Sequence, residues 1–458
     1  AHAGRSHRRQ AIMTKIHLIK LSRVLVILLF IGAAIPIAAQ SAASPASQVT
    51  ELDVNGLKVL VKRRQGAPTV AAGLFFRGGV RNVDPQNAGI ENFALSVAVE
   101  GSKSYPTQKL RKETSRVGTV ISAGSNYDFS VVALASTKEH FDSSWQMFTD
   151  VALNPSFDAE NVERIRSNIL TVLRSANDSP EGTLEMERRR IVFSGHPYSN
   201  EPQGTVESIT RIKTSDLAAY HRRMMQTSRL LLVVVGDVDP AELQKRITAS
   251  FGALPRGDYK PAPIAQLVFA KPTVDVTSRT VQTNYVKGIF AAPSIADPDY
   301  YAMRVAISIL QQAVFQEVRV RRNLSYAPDA ELDDHAANTA SISVSSVNPN
   351  EAIRVMLGEI QQLRERGVQE DALGQMSGYF LTTYFLKQET NAAQAAELAQ
   401  YELMGGGWRN SIGFLDRMRK VKPADIQAVA NKYMKNIRFV VVGNPSDIDR
   451  SIFLQNTE

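Results

Sequence analysis

The chain contains no cysteine. That removes disulfide scaffolds, thiol catalysis, Cys-rich zinc sites and Cys-ligated iron–sulfur clusters together. Histidine is almost as scarce. Beyond the first 50 residues only His140, His196, His221 and His335 remain, and no two are near neighbours. A helical zinc site needs two histidines four residues apart, so that both imidazoles leave one face. Neither H-E-x-x-H nor H-x-x-E-H can be written anywhere in the chain. His196, before Pro197, reads as a loop residue. No G-x-S-x-G nucleophile elbow and no glycine-rich phosphate loop after a strand is present. Gly405-Gly406-Gly407 falls between two helices and reads as a connection rather than a phosphate cradle.

What is present is enough for real cores: 458 residues, 44% of them hydrophobic and 21% charged. That length fits two to four domains. The net charge of +8 is unevenly placed. Residues 1–50 carry Arg5, Arg8, Arg9, Lys15, Lys20 and Arg23 and no acid, followed by the apolar run Val24 to Ile35 and the small-residue tract "IAAQSAASPAS". A basic start, a short apolar run and a small-residue end predict a secretory signal over residues 1–41. A membrane anchor would need about 20 apolar residues. Met13 reads as the start, with the residues before it an over-extension. Taking those six cations from the 53 Lys and Arg leaves a net near +2 against 45 acids. Basic patches interleaved with aromatics are absent, so no nucleic-acid partner is expected. The expected location is exported, periplasmic or secreted, with no stable membrane span.

The remaining chain reads as mixed α and β. Asn55-Gly56 between "VTELDV" and "LKVLVKR" is a hairpin signal. "TVAAGLFF" reads as strand, "GIENFALSVAVEG" as helix and "TVISAGSNYDFSVVALAST" as a second hairpin. Helices are expected near 138–152, 158–176, 181–194 and 214–225, then the strand "RLLLVVVG" and a helix from Pro240. A proline-rich stretch, 255–272, reads as a linker between domains 48–254 and 273–458. Past it come strands near 274–291, a helix at 299–321, strand near 339–347, long helices at 349–366 and 369–402, a helix at 423–434 and the strand "RFVVVG". The closing segments of the two halves match: Asp216 pairs with Asp425 and Arg229 with Arg438, each 209 residues apart. That shared offset signals duplication. The expected fold class is α+β: two similar tandem domains, each a mostly antiparallel sheet covered by helices.

"GIENFALSVAVEGSKSYP", after "FRGGVRNVDPQNA", resembles the start of the pitrilysin/insulinase-type metallopeptidases, the inverzincins. There a glycine opens a helix carrying H-x-x-E-H, and a Gly-Thr or Gly-Ser pair closes it. On that register Gly89 opens the helix and Gly101-Ser102 closes it. Asn92 and Ser96 then stand at the two histidine positions and Leu95 at the general-base position. A later ligand glutamate falls on Val172; Glu160 and Glu163 do not fit it. An amide, a hydroxyl and two apolar groups cannot replace zinc ligands, and without metal there is no activated water. "FSGHPYSNEPQGTVESITRIKTSDLAAYHRRMMQTSRLLLVVVGDVD" is similar to a further stretch of that family.

In the second half "FQEVRVRRNLSYAP" resembles the family's R-x-x-x-G-L-x-Y element. The resemblance implies that Arg319 and Tyr326 contact a substrate carbonyl near zinc, as donors to a developing oxyanion. Asn323 stands in place of glycine and tolerates positive φ. The helix leading in carries Met303, Ile307, Leu310, Val314 and Val318 on one stripe. The expectation is a non-catalytic subunit of an exported zinc peptidase, inactive alone, forming a peptide-binding chamber with a zinc-bearing partner of the same family. This chain holds no cofactor on that reading; the zinc belongs to the partner. Arg319 and Tyr326 are then supplied in trans. Two other readings stand beside it: a purely structural or peptide-binding scaffold, and an autonomous peptidase with an unrecognised metal site.

Overall fold

A computed structural model describes residues 48–455. The expected export segment, residues 1–41, lies outside the described residues. Strands β1 (Val49–Val54) and β2 (Leu57–Arg63) pair antiparallel around Asn55-Gly56, with φ of 53° and 83°. Asparagine and glycine are the residues that adopt such angles at little cost. There follow β3 (Thr69–Arg77), α1 (Ile90–Ala98), α2 (Thr107–Val117), β4 (Val120–Ser125), β5 (Phe129–Thr137) and α3 (Phe141–Leu153). Then come α4 (Ala159–Asp178), α5 (Pro180–Val192), a short α6 (Val206–Arg211), α7 (Thr214–Met224), β6 (Leu230–Gly236) and α8 (Pro240–Phe251). Residues 255–272 have no regular structure. Beyond them lie β7 (Thr273–Ser278), β8 (Asn284–Ala291), α9 (Tyr300–Val314), β9 (Asp329–Leu332), β10 (Thr339–Ser346) and α10 (Pro349–Arg366). The chain continues with α11 (Glu370–Lys387), α12 (Asn391–Met404), the short α13 (Arg409–Ile412) and α14 (Phe414–Arg419), α15 (Pro423–Tyr433) and β11 (Arg438–Gly443).

The strands form two sheets, ordered β1-β2-β6-β3-β5-β4 and β7-β11-β8-β10-β9. Set β1 aside and the two orders coincide strand for strand. In each, the last strand of the half inserts beside the first, parallel to it, and antiparallel to the second. Smaller details repeat as well. The Asp216 carboxylate accepts the N–H of Lys213 at 2.8 Å, and Asp425 accepts that of Lys422 at 2.9 Å, each satisfying a donor at a helix start. Ser179 and Thr390 cap α5 and α12 through their hydroxyls.

β6 and β11 read as unbroken apolar runs because both of their faces are buried. Leu230, Leu232 and Val234 face the helices of their own half, while Leu231, Val233 and Val235 face Ala395, Leu398 and Ala399 of α12. The second half mirrors this. Phe439 and Val441 meet their own helices, and Val440 and Val442 meet Leu184 and Val192 of α5. Each half therefore lends one helix to the far side of the other's sheet. The joint also holds a buried polar knot. Asp128 accepts from the Tyr198 hydroxyl at 2.7 Å and the Ala336 N–H at 3.1 Å, with His335 at 3.6 Å and Arg81 at 3.8 Å.

Two expected helices differ from the structure. The single helix at 369–402 is two, α11 and α12, because Thr390 caps a new start and Asn391 is drawn to the Thr69 carbonyl, 2.6 Å away. That break lets α12 reach the first sheet. The helix at 299–321 is α-helical only to Val314, and Phe315–Arg321 is wound as a π-helix. The stripe of Met303, Ile307, Leu310, Val314 and Val318 is buried throughout. Among the described residues no helix is long and apolar enough to cross a membrane.

Candidate functional site

α1 begins at Gly89, whose φ is +83°. A Cβ there would stand 2.5 Å from the Cα of Gly204, so both glycines are needed for the 200–205 loop to lie on the helix start. The Ser208 hydroxyl fixes the same contact by donating to the Ala88 carbonyl at 2.8 Å. This approach delivers Gln203 to Asn92, whose amide donates to the Gln203 side-chain oxygen at 2.9 Å. Asn92 is thus buried and committed to a neutral side-chain pair. Leu95 is 1% exposed and packs in the core of the first half, and Ser96 is half-buried. Val172, on α4, is 65% exposed.

These four residues do not form a zinc site. The two that could turn outward offer a hydroxyl and an isopropyl group; the buried two offer an amide already bonded and an apolar side chain. Among the described residues no three His, Asp or Glu side chains gather as metal ligands would. One charged group on α1 is nevertheless buried. Glu91, beside Asn92, takes the Arg229 guanidinium at 2.5 Å and the Tyr220 hydroxyl at 2.7 Å. Both side chains of the ion pair are under 8% exposed. Arg229 was visible in the sequence as a landmark of the repeat. Glu91 carried no signal, since its partners lie 129 and 138 residues away.

The second half presents a different arrangement. Two residues past the π-helical turn stands Asn323, which adopts φ 51°, the left-handed conformation expected where glycine would stand. The Leu324 N–H donates to the Val318 carbonyl at 2.8 Å and closes the turn. Tyr326 then folds back so that the Arg319 guanidinium lies over its ring, 3.9 Å from the centroid, with Phe315 on a further side at 5.0 Å. Tyr326 is 79% exposed. Among the described residues neither Arg319 nor Tyr326 has a hydrogen-bond or ion-pair partner. The neighbouring Arg321 and Arg322 differ, because both bind Glu317. Ion pairing inside the segment therefore leaves Arg319 as its free cation. A half-buried guanidinium stacked on an exposed phenol offers two hydrogen-bond donors held side by side.

His196, read from sequence as a loop residue, caps a three-residue turn and contacts the Ala265 carbonyl at 3.0 Å. His335 and Asp128, which the sequence did not single out, meet at the joint between the halves.

Comparison with known proteins agrees with this geometry. Residues 58–206 match the family described as "Insulinase (Peptidase family M16)", and residues 211–376 match "Peptidase M16 inactive domain". The chain is similar to the non-peptidase homolog YmxG of Helicobacter pylori, 20% identical over 413 residues, 87% of this chain and 95% of that protein. It is also similar to subunit 1 of the mitochondrial cytochrome b-c1 complex of Bos taurus, 24% identical over 269 residues. That match covers 58% of this chain but only 55% of the bovine protein. A solved M16 inactive domain from Pseudomonas fluorescens superposes with a TM-score of 0.80 at 18% identity, covering 86% of this chain and 98% of its own. With both halves of the duplicated fold matched, and the helix that would carry the zinc motif holding Asn92, Leu95 and Ser96 instead, the chain belongs to the insulinase (M16) peptidase family as a member without the metal-binding motif.

Proposed function

We propose that this chain is the non-catalytic subunit of an exported zinc peptidase, walling a peptide-binding chamber together with a zinc-bearing partner of the same family. Arg319 and Tyr326 are offered in trans to the partner's active site, where their N–H and O–H groups donate to the substrate carbonyl as negative charge develops on it. The observation that carries the reading is the stacking of a half-buried Arg319 on an exposed Tyr326, neither with a hydrogen-bond or ion-pair partner among the described residues. A surface arginine and a core tyrosine with no shared task would not meet in this way. The chain's own α1 supports the shape of the first half and no hydrolysis.

The test is co-expression with a zinc-bearing homologue, purification of the complex and assay on a fluorogenic peptide. Arg319→Ala and Tyr326→Phe should each lower activity by roughly 10²- to 10³-fold, the usual effect of losing one oxyanion donor. Zinc near one ion per chain in this protein purified alone would overturn the assignment of metal to the partner. The bovine relative, a subunit of a larger complex by name, favours a second reading as a scaffold. Copurification of a partner whose activity ignores both substitutions would select the scaffold.

A further inference from the structure

We infer that Ser346 is a positioning residue for the Arg319–Tyr326 pair, holding the 323–326 turn through its hydroxyl; the inference rests on the proposed role of that pair. Ser346 ends β10 and is 2% exposed. Its Oγ donates to the Leu324 carbonyl at 2.6 Å and accepts the Asn348 N–H at 3.0 Å. Leu324 is therefore fixed at both ends: its N–H goes to Val318, in the π-helical segment that carries Arg319, and its C=O goes to the sheet. Only Ser325 separates it from Tyr326, whose own side chain makes no hydrogen bond among the described residues. The hydroxyl thus ties the turn bearing the exposed phenol to the rigid strand end. Without it, the turn would keep its left-handed asparagine, the Leu324–Val318 bond, the packing of Leu324 on the core and the Ala327 N–H bond to the Ser325 hydroxyl, but lose its hydrogen bond to the end of β10.

The duplicated fold supplies an internal control. Thr137 ends β5 in the first half, 209 residues earlier, the offset shared by Asp216 with Asp425 and Arg229 with Arg438. Thr137 pairs with Thr69 at the start of β3 as Ser346 pairs with Asn284 at the start of β8. Its hydroxyl accepts the N–H of His140, at 3.4 Å, the capping task that Ser346 performs for Asn348. Among the described residues Thr137 donates to no loop carbonyl. The strand-end hydroxyl is thus common to both halves, while the reach to the turn belongs to the half that carries the arginine and tyrosine.

The test compares Ser346→Ala with Ser346→Thr, since threonine keeps the hydroxyl and already occupies the equivalent strand end. In the isolated chain, mass spectrometry of brief trypsin digests reads cleavage after Arg319, Arg321 and Arg322. Ser346→Ala should raise it roughly threefold to tenfold, the effect of one lost buried hydrogen bond, and Ser346→Thr should stay near wild type. Unchanged cleavage in the alanine variant, or cleavage raised evenly along the chain, would overturn the inference. In the complex, Ser346→Ala should lower kcat with KM retained, and threonine should restore it. Activity that falls with Arg319→Ala and Tyr326→Phe but not with Ser346→Ala would also overturn it. Loosened cleavage with activity indifferent to all three would leave the tether standing and overturn the role of the pair.

Discussion

Acidification should destabilise this protein through one histidine that has nothing to do with the proposed site. His221 lies on α7, 3% exposed, with its Nε2 donating to the Ala152 carbonyl at 2.9 Å and its ring against Phe157. Nδ1 is therefore the bare nitrogen, and protonating it would place a charge in an apolar setting. Burial pushes the pKa down from 6.5 to about 4, with the Ala152 bond opposing and Arg222 adding to the shift. The unfolded chain binds this proton first as pH falls, so stability is intact above pH 6.5 and lost progressively down to about pH 4. With those two pKa values, moving from pH 7.5 to pH 5 costs about 2 kcal/mol. Urea unfolding at several pH values measures it. His221→Gln keeps a donor for Ala152 and cannot titrate, so its loss over the same range should be about 2 kcal/mol smaller. All other groups titrate alike in the two proteins. Parallel losses in wild type and variant would refute the assignment.

Three further outcomes follow from the packing. His335 carries the opposite sign: burial opposes its charge, but the Asp128 contact and the field of Asp333 outweigh that and hold its pKa above 6.5. Stability from this pair is present below pH 6.5 and lost as pH rises through the folded pKa, so Asp128→Asn should flatten the stability–pH slope above pH 6.5, and an unchanged slope counts against the pairing. Glu91→Ala should cost about 3–5 kcal/mol in urea melts by stranding Arg229 in the core; the double variant Glu91→Leu with Arg229→Met should recover most of that, and equal losses in both would show no coupling. Fragments 48–272 and 273–458, expressed separately, should aggregate, because Leu231, Val233 and Val235 lose the cover of α12, a burial worth on the order of 5 kcal/mol. Mixed refolding should recover soluble protein, and an independently folded first fragment would refute the exchange of helices.

What could be read from the sequence was local or periodic. Asn55-Gly56 specifies its turn by backbone chemistry alone, and the stripe from Met303 to Val318 specifies a buried face by spacing. The matched closing segments specify central strands, since a run such as "LLLVVVG" must be covered on both sides. What covers it was not legible. Ala395, Leu398 and Ala399 read as the continuation of one long helix, because Gln388-Glu389-Thr390 contains neither glycine nor proline. Thr390 as a cap was the only local sign of the break. α2 escaped notice for a related reason: Leu110 and Val117 are its only buried residues, too few to show a helical period. At the candidate site the residue types of the Arg–Tyr element were visible, but not that Glu317 would absorb Arg321 and Arg322 and leave Arg319 free.

The duplicated fold gives a physical reason why the two halves could diverge in chemistry without diverging in architecture. The strand orders and helix starts repeat, and they depend on apolar runs, caps and tight turns that no catalytic group enters. The helix that follows the second strand of each half differs sharply. α1 ends at Ala98, and its polar and charged side chains are turned into structure: Asn92 to Gln203, Glu91 to Arg229 and Tyr220. Its counterpart α9 runs on through a π-helical turn, which places a half-buried Arg319 just past Val318, the last residue of the packed stripe. Of that extension Val318 joins the core of the second half, while Val320 is left exposed. Packing of Val318 accounts for the extension, but folding alone gives little reason to stack an exposed tyrosine upon its arginine. Binding does, because both groups are already ordered before a ligand arrives, and less conformational entropy remains to be lost when it does.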